Sequence, residues 1–245
     1  MPPQVILFDM DDTLISSFKG HPRDVWRRTL EEFHAELGYS GLDSTADALY
    51  AAALEFWSDA SRHREARLDL ARTRREITGL GLRQVGIVDD GLTHQIADAL
   101  HALRDREMTL FPNAHETLDR LRAAGVRLAL ITNGAHDPQW EKIRRFDFQH
   151  RFDHIQVEGE IGFGKPEPQA YLHALRALNT DPQSAWMVGD NLEWEVAAPK
   201  RLGIHTVWHD HTGNGLPENP PALPDRIIRG LVELTEGLED LEQNG

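Results

Sequence analysis

"QVILFDMDDTLISS", residues 4–17, is the stretch on which the reading of this chain turns. Four apolar residues, Val5 to Phe8, run straight into three aspartates within four positions: Asp9, Asp11 and Asp12. A short, unbroken apolar run has the pattern of a strand buried on both faces. In an extended backbone, residues two apart share a face, so Asp9 and Asp11 are expected side by side. Two carboxylates so close cannot both ionise freely; one keeps a proton, or a cation lies between them.

The remainder of the chain extends this beginning in two ways. From Leu110, strands alternate with helices. "FPNAHETLDRLRAAG" predicts a helix opened near Pro112 and closed at Gly125, and "VRLALITNG" a buried strand ending in a turn. "PQWEKIRRFDF" reads as a helix, "HIQVEG" as a short strand, "EPQAYLHALRALN" as a helix and "SAWMVGDN" as a strand. "EWEVAAPKRLG" is a helix, "HTVWH" a strand, and "DRIIRG" with "LVELTEGLEDLEQ" adds a strand and a last helix. This alternation implies an α/β fold, a Rossmann-like parallel sheet with helices on both faces. Residues 17–108 show only helical periodicity. Trp26, Leu30, Phe33 and Leu37 fall on one helical face, which "GYSG" stops. A second helix is expected from about Ser44 into the seventies and a third from about Leu92 to Arg106, with "GLGLRQVG" as a glycine-rich break between them. The chain therefore divides into a core, residues 1–16 and 109–245, and a helical insertion, residues 17–108.

At 245 residues and 40% apolar, the chain can bury a sizeable core. It has no cysteine, which excludes disulfides and thiolate chemistry and suits a reducing cytoplasm. No apolar run is long enough to span a membrane, and "MPPQVILFD" lacks the pattern of a secretory signal. The net charge is −14, a poor basis for nucleic-acid binding. Residues 17–108 carry 13 Lys and Arg against 16 Asp and Glu, while the rest carries 13 against 24. An anionic substrate would need local compensation from a metal or a few placed cations.

Ligands of parallel α/β sheets bind at the carboxyl ends of the strands. Those ends read "FDMDDT", "ITNG" and "MVGDN", and Lys165 follows another strand in "GFGKPEP". Asp9, Asp11 and Asp190 without histidine or cysteine favour a hard, oxygen-loving ion, and Mg²⁺ is the usual choice beside phosphate. Each of these motifs alone has an ordinary reading as a turn, a helix cap or a solvated lysine; order and spacing make them a set.

In that order, "DMDDT", Thr132 in "LITNG", Lys165 in "GKPEP" and "GDNLEWE" resemble the four motifs of the haloacid dehalogenase superfamily, mostly Mg²⁺-dependent phosphatases. The insertion stands where that family carries a helical cap. The resemblance implies that Asp9 is the nucleophile, forming an aspartyl-phosphate, and Asp11 the general acid and then base. It also implies that Asp9, the Asp11 carbonyl and Asp190 hold Mg²⁺, and that Thr132 and the N–H groups after it, with Asn133, hold the phosphoryl group. Lys165 would neutralise charge on Asp9 and the phosphate. Two positions depart from the family pattern. Glu195 stands where aspartate is more frequent, leaving it to hold a metal-bound water or to brace Lys165. Asp12 replaces a frequent glycine and is expected only to order the turn.

On the insertion, "SRHREARLDLARTRR" holds six arginines. On one continuous helix Arg64, Arg67, Arg74 and Arg75 would form a stripe, either a solvated face or, through Arg64 and Arg67, a contact for a second anionic group on the substrate. "HDH" at 209–211 is expected to be a solvated loop, and Trp140, Trp186, Trp194 and Trp208 to pack. The expected substrate is a small phosphorylated metabolite, with no nucleic-acid or membrane partner, in a cytoplasmic monomer or homodimer. A sugar-phosphate mutase shares the whole catalytic set, and a non-catalytic binding module on the same fold is the rival from another class. Asp11 argues against a dehalogenase, which has no leaving oxygen to protonate.

Overall fold

The computed structural model of the chain describes residues 3–38 and 41–236. Six parallel strands form the main sheet in the order β5-β4-β1-β6-β7-β8. They are β1 (Val5–Phe8), β4 (Arg127–Thr132), β5 (His154–Val157), β6 (Ala185–Gly189), β7 (His205–His209) and β8 (Arg226–Ile228). Two short strands, β2 (Ile15–Ser16) and β3 (Thr109–Leu110), pair separately. The helices between core strands are α7 (Ala114–Ala123), α8 (His136–Arg145), α9 (Glu158–Ile161), α10 (Pro168–Ala177) and α11 (Ala198–Lys200). Sequential strands add outward on one side of β1 and then on the other. This is the doubly wound, Rossmann-like order, and its reversal lies between β1 and β6.

The apolar run that opens the chain is central because both faces of β1 are covered. Val5, Ile6, Leu7 and Phe8 are all fully buried. On one face Val5 and Leu7 pack with Ala129, Ile131 and Met187 against Tyr171, Ala174 and Leu175 of α10. Each such side chain removed from water contributes roughly 1.5–3 kcal/mol. The last helix expected from "LVELTEGLEDLEQ" is a 3₁₀ turn over Leu231–Thr235; the rest of that stretch lies outside the described residues.

Packing divides the chain into two compact units, residues 1–16 with 110–245, and 17–109. The second is all helical: α1 (Pro22–Leu30), α2 (His34–Leu37), α3 (Leu42–Ser58), α4 (His63–Leu68), α5 (Leu70–Gln84) and α6 (Asp90–Glu107). Its core gathers Val25, Trp26, Leu30, Leu49, Phe56, Ile77, Leu82 and Ile96. Among the described residues, no helix is long and apolar enough to cross a membrane.

Three helical expectations are corrected here. The Trp26–Leu37 face is broken, because α1 ends at Leu30 and a 3₁₀ turn, Glu31–Phe33, intervenes before α2. The long second helix is three pieces. Asp59 and Asp69 each take a non-helical backbone and accept from the N–H of Ser61 and Arg72, so each opens a new helix. Arg64 and Arg67 therefore sit on α4, and Arg74 and Arg75 on α5. Finally, "GLGLRQVG" is no break up to Gln84. Gly79 and Gly81 lie inside α5, where a Cβ on Gly81 would stand 2.7 Å from the Cα of Leu49. The glycine there permits two helices to approach closely; the turn comes at Gly86, with φ +81°.

Candidate active site

Three neighbouring strands deliver the polar groups. Phe8 lies opposite both Leu130 of β4 and Val188 of β6, so Asp9, Thr132 and Asp190 leave the sheet at one edge. The Asp9 N–H still bonds to the Val188 carbonyl, at 2.9 Å. Both Asp9 oxygens are held: Lys165 Nζ is 2.5 Å from Oδ1, and the Thr13 hydroxyl donates to Oδ2 at 2.9 Å. Asp12 makes this possible from a left-handed backbone, φ +61°, where glycine or a short polar residue is the usual occupant.

Lys165 is completely buried and meets a second carboxylate, Glu195 Oε1, at 2.8 Å. Glu195 Oε2 accepts from the Asn191 N–H at 2.8 Å. Of the two roles open to Glu195 from the sequence, the structure shows the brace on Lys165. Gly189 leaves room for it: a Cβ there would stand 2.0 Å from Glu195 Cγ. Asn191 accepts from the N–H groups of Glu193 and Trp194, opening a π-helical turn over Leu192–Ala197. Pi-helical turns cluster at functional sites. The Tyr171 hydroxyl donates to the Trp194 carbonyl.

The electrostatics are those of crowded carboxylates. Burial and Asp11 push Asp9 upward against the pull of Lys165 and Thr13. Burial pushes Glu195 to about 7, with Lys165 opposing. Burial also works against the Lys165 ammonium, but Asp9 and Glu195 outweigh it and hold the lysine protonated above its usual range. Burial, with Glu195, Asp9 and Asp12, raises Asp190 well above the usual carboxylate range, with Lys165 the opposing charge. Asp190 is half-buried.

Asp11 lies near enough to Asp9 to raise its pKa, although the backbone between them is not a strand. The chain turns after Asp9, and Asp11 finds its own cation: Lys142 Nζ lies 2.7 and 2.9 Å from its two oxygens. Gln139 Nε2 donates to Asp11 Oδ2 at 2.9 Å and reaches Thr132 Oγ1 at 2.5 Å. The Asn133 side chain is committed to the Lys165 backbone. Its Nδ2 donates to the Lys165 carbonyl at 2.7 Å and its Oδ1 accepts from the Lys165 N–H at 2.9 Å. The Gly134 N–H, one of the groups after Thr132, is taken by Glu158 Oε2 at 2.9 Å.

The core unit thus brings together Asp9, Asp11, Thr132, Asn133, Lys165 and Asp190. Arg64 and Arg67 belong to the other unit, where Arg67 is buried. The stripe itself dissolves: Arg74 reaches His101 at 3.0 Å and Arg75 pairs with Asp98 at 3.2 Å. "HDH" is not a solvated loop, since His209 ends β7 and is 1% exposed, and Asp210 is buried as well. Trp208 packs as expected and also donates from Nε1 to the Asp190 carbonyl at 2.6 Å. Gln139, Lys142 and Glu158 were not singled out in the sequence, and Thr13 only as a residue that orders the turn with Asp12. The available signal was a glutamine and a lysine one turn apart beside the fully buried Ile143 of α8.

Among the described residues, no three His, Cys, Asp or Glu side chains are grouped to enclose an ion. The donor set fits a different arrangement. It has two side-chain carboxylates, Asp9 and Asp190, close enough for one to raise the pKa of the other, as suits a small hard cation that keeps several waters.

This fold and this site define a class. The chain belongs to the haloacid dehalogenase-like hydrolases, whose family pattern matches residues 3–203. It is an enzyme of their phosphatase branch. It is 31% identical over 254 residues to a phosphoserine phosphatase of Thermus thermophilus, covering 94% of this chain and 97% of that one. It is 30% identical over 247 residues to a glyceraldehyde 3-phosphate phosphatase of Pyrococcus furiosus, covering 99% and 95%. Among solved structures, the HAD-hydrolase YfnB of Bacillus subtilis, described as bound to magnesium, superposes with a TM-score of 0.74. That match has 18% identity and covers 97% of this chain and 99% of the other.

Proposed function

We propose that the chain is a Mg²⁺-dependent phosphomonoesterase that acts on a small phosphorylated metabolite through an aspartyl-phosphate on Asp9. The observation that carries this is the Asp9 carboxylate, held at both oxygens by Lys165 and Thr13 at the reversal point of the sheet. A nucleophile so fixed has one direction of attack, and orientation of this kind supplies much of the acceleration in an intramolecular displacement. Asp9 and a phosphate dianion repel. Lys165 offsets that charge, and Thr132 offers a hydroxyl to the phosphoryl oxygens. Asp11 protonates the leaving oxygen and then takes a proton from the water that releases phosphate. Asp9, the Asp11 carbonyl and Asp190 would hold Mg²⁺, whose chemistry is to polarise the phosphoryl group and neutralise its charge.

The second anionic contact expected of Arg64 and Arg67, which share α4, is not part of this proposal. The substrate names of the relatives, phosphoserine and glyceraldehyde 3-phosphate, place short phosphorylated carbon chains first in a substrate panel. The test is release of inorganic phosphate from that panel and from para-nitrophenyl phosphate, with Mg²⁺ and with EDTA, by the wild type and Asp9→Asn. Turnover abolished by EDTA and by the substitution is expected. Turnover that survives Asp9→Asn, or phosphate that moves between hydroxyls of one sugar without release, would overturn it.

A further inference from the structure

Gln139 and Lys142 lie one turn apart on α8, spacing that puts them on one face. Both reach Asp11. Lys142 grips both its oxygens, at 2.7 and 2.9 Å, and Gln139 reaches Oδ2 at 2.9 Å. Gln139 is 3% exposed, and its amide also meets Thr132 Oγ1 at 2.5 Å and the Asn133 carbonyl at 2.8 Å. The Lys142 side chain is 19% exposed. A helix face that packs toward the sheet favours apolar residues, and buried polar groups there are costly unless bonded. These two are bonded, and the acceptor they share is the carboxyl assigned to proton transfer.

We propose that Gln139 and Lys142 are positioning residues for Asp11, fixing its carboxyl relative to the phosphoryl-binding Thr132. The inference rests on the phosphatase reading above. Paired with Lys142, Asp11 is a carboxylate, so it first takes a proton from solvent on one oxygen while Lys142 keeps the other. As the Asp9–phosphorus bond forms and the ester P–O bond breaks, that proton passes to the leaving oxygen. A carboxyl free to swing would miss that oxygen. The need is greatest when the leaving group is a basic alkoxide and least when it is a stable phenolate. The quantity kcat/KM covers steps through leaving-group departure, so it isolates this role.

The experiment compares an alkyl phosphate with dinitrophenyl phosphate in the wild type, Lys142→Met, Lys142→Arg and Gln139→Leu, with thermal melting to verify folding. For Lys142→Met, kcat/KM on the alkyl ester is expected to fall about 30–100-fold and on the activated ester less than about threefold, within the range for general acid catalysis. Gln139→Leu should show the same bias, and Lys142→Arg should recover most of the loss. Inhibition by inorganic phosphate should be unchanged within about threefold, as expected of a group that does not bind the phosphoryl oxygens. Equal losses on both esters would overturn the inference. So would a loss of phosphate inhibition in step with them, which would put Lys142 on the phosphoryl group. If Lys142→Met does not fold, the same two outcomes are read from Gln139→Leu and Lys142→Arg. No turnover of either ester by the wild type would remove the phosphatase reading, and this inference with it.

Discussion

Lys165 Nζ stands 2.5 Å from Asp9 Oδ1, with the lysine fully buried and the aspartate 7% exposed. The ammonium is also the counter-charge of Glu195, at 2.8 Å. Lys165→Met keeps most of the volume and removes the charge, leaving two buried carboxylates facing each other. Breaking a buried pair in this way costs roughly 3–5 kcal/mol. Urea unfolding should show that loss and should show it diminished in the double variant Lys165→Met with Glu195→Gln. Turnover should fall by about 10²–10³-fold, the scale for removing one preorganised charge at a transition state. Retained activity in a folded Lys165→Met protein would refute the charge-neutralising role.

Asp190 supplies a measurement that does not depend on turnover. Burial and its neighbours Glu195, Asp9 and Asp12 raise its pKa, against the pull of Lys165. A divalent cation should relieve that repulsion. Saturating Mg²⁺ should therefore raise the melting temperature, by the equivalent of about 2.7 kcal/mol at a hundredfold excess over Kd. Asp190→Asn should lose this response while melting no lower than the cation-free wild type. A melting temperature indifferent to Mg²⁺ in the wild type would argue against a cation at these oxygens.

The strand ends were legible in the sequence because a parallel sheet converts strand order into spatial convergence. Asp9, Thr132 and Asp190 are far apart in the chain, yet each stands at the end of an apolar strand, and the topology carries them to one edge, where the loop after α9 brings Lys165. What the sequence did not show were the groups that hold these residues. Gln139 and Lys142 look like ordinary helix polar residues, and nothing in "LITNG" announces that the Asn133 side chain clamps the Lys165 backbone. Register along a helix and side-chain partners are tertiary facts. The helical unit was harder to read for a related reason. Glycine within α5 looks like punctuation in the sequence, whereas its cause is a neighbouring helix that no local pattern announces.

That neighbouring helix gives a paired prediction. Gly81→Ala would place a Cβ 2.7 Å from the Cα of Leu49, a backbone atom that cannot step aside. Overpacking of this kind costs about 1–3 kcal/mol. Gly79→Ala meets the tip of Arg83 at 3.2 Å, which can swing away, and Thr93 Cγ2 at an ordinary van der Waals distance of 3.5 Å. There the gain in helix propensity, up to about 1 kcal/mol, should dominate. Denaturant midpoints should therefore move in opposite directions for two alanines two residues apart. Similar shifts in both would mean that α3 and α5 do not pack as closely as the structure shows.

His209 sets an acid limit on stability. It ends β7 almost without exposure, its ring 5.0 Å from Phe111 and 5.8 Å from His211. Burial, reinforced by His211, lowers its pKa to about 4. The unfolded value is near 6.5, so between the two the unfolded chain binds a proton that the folded chain refuses. The stabilising contribution is complete above about pH 6.5 and is lost as the pH falls toward 4, by roughly 3 kcal/mol in all. His209→Gln removes this titration. In urea unfolding, the wild type should lose about 2 kcal/mol more than the variant between about pH 7.5 and pH 5. An equal loss in both proteins would show that His209 takes up its proton in the folded state without penalty, and that other groups govern the acid sensitivity.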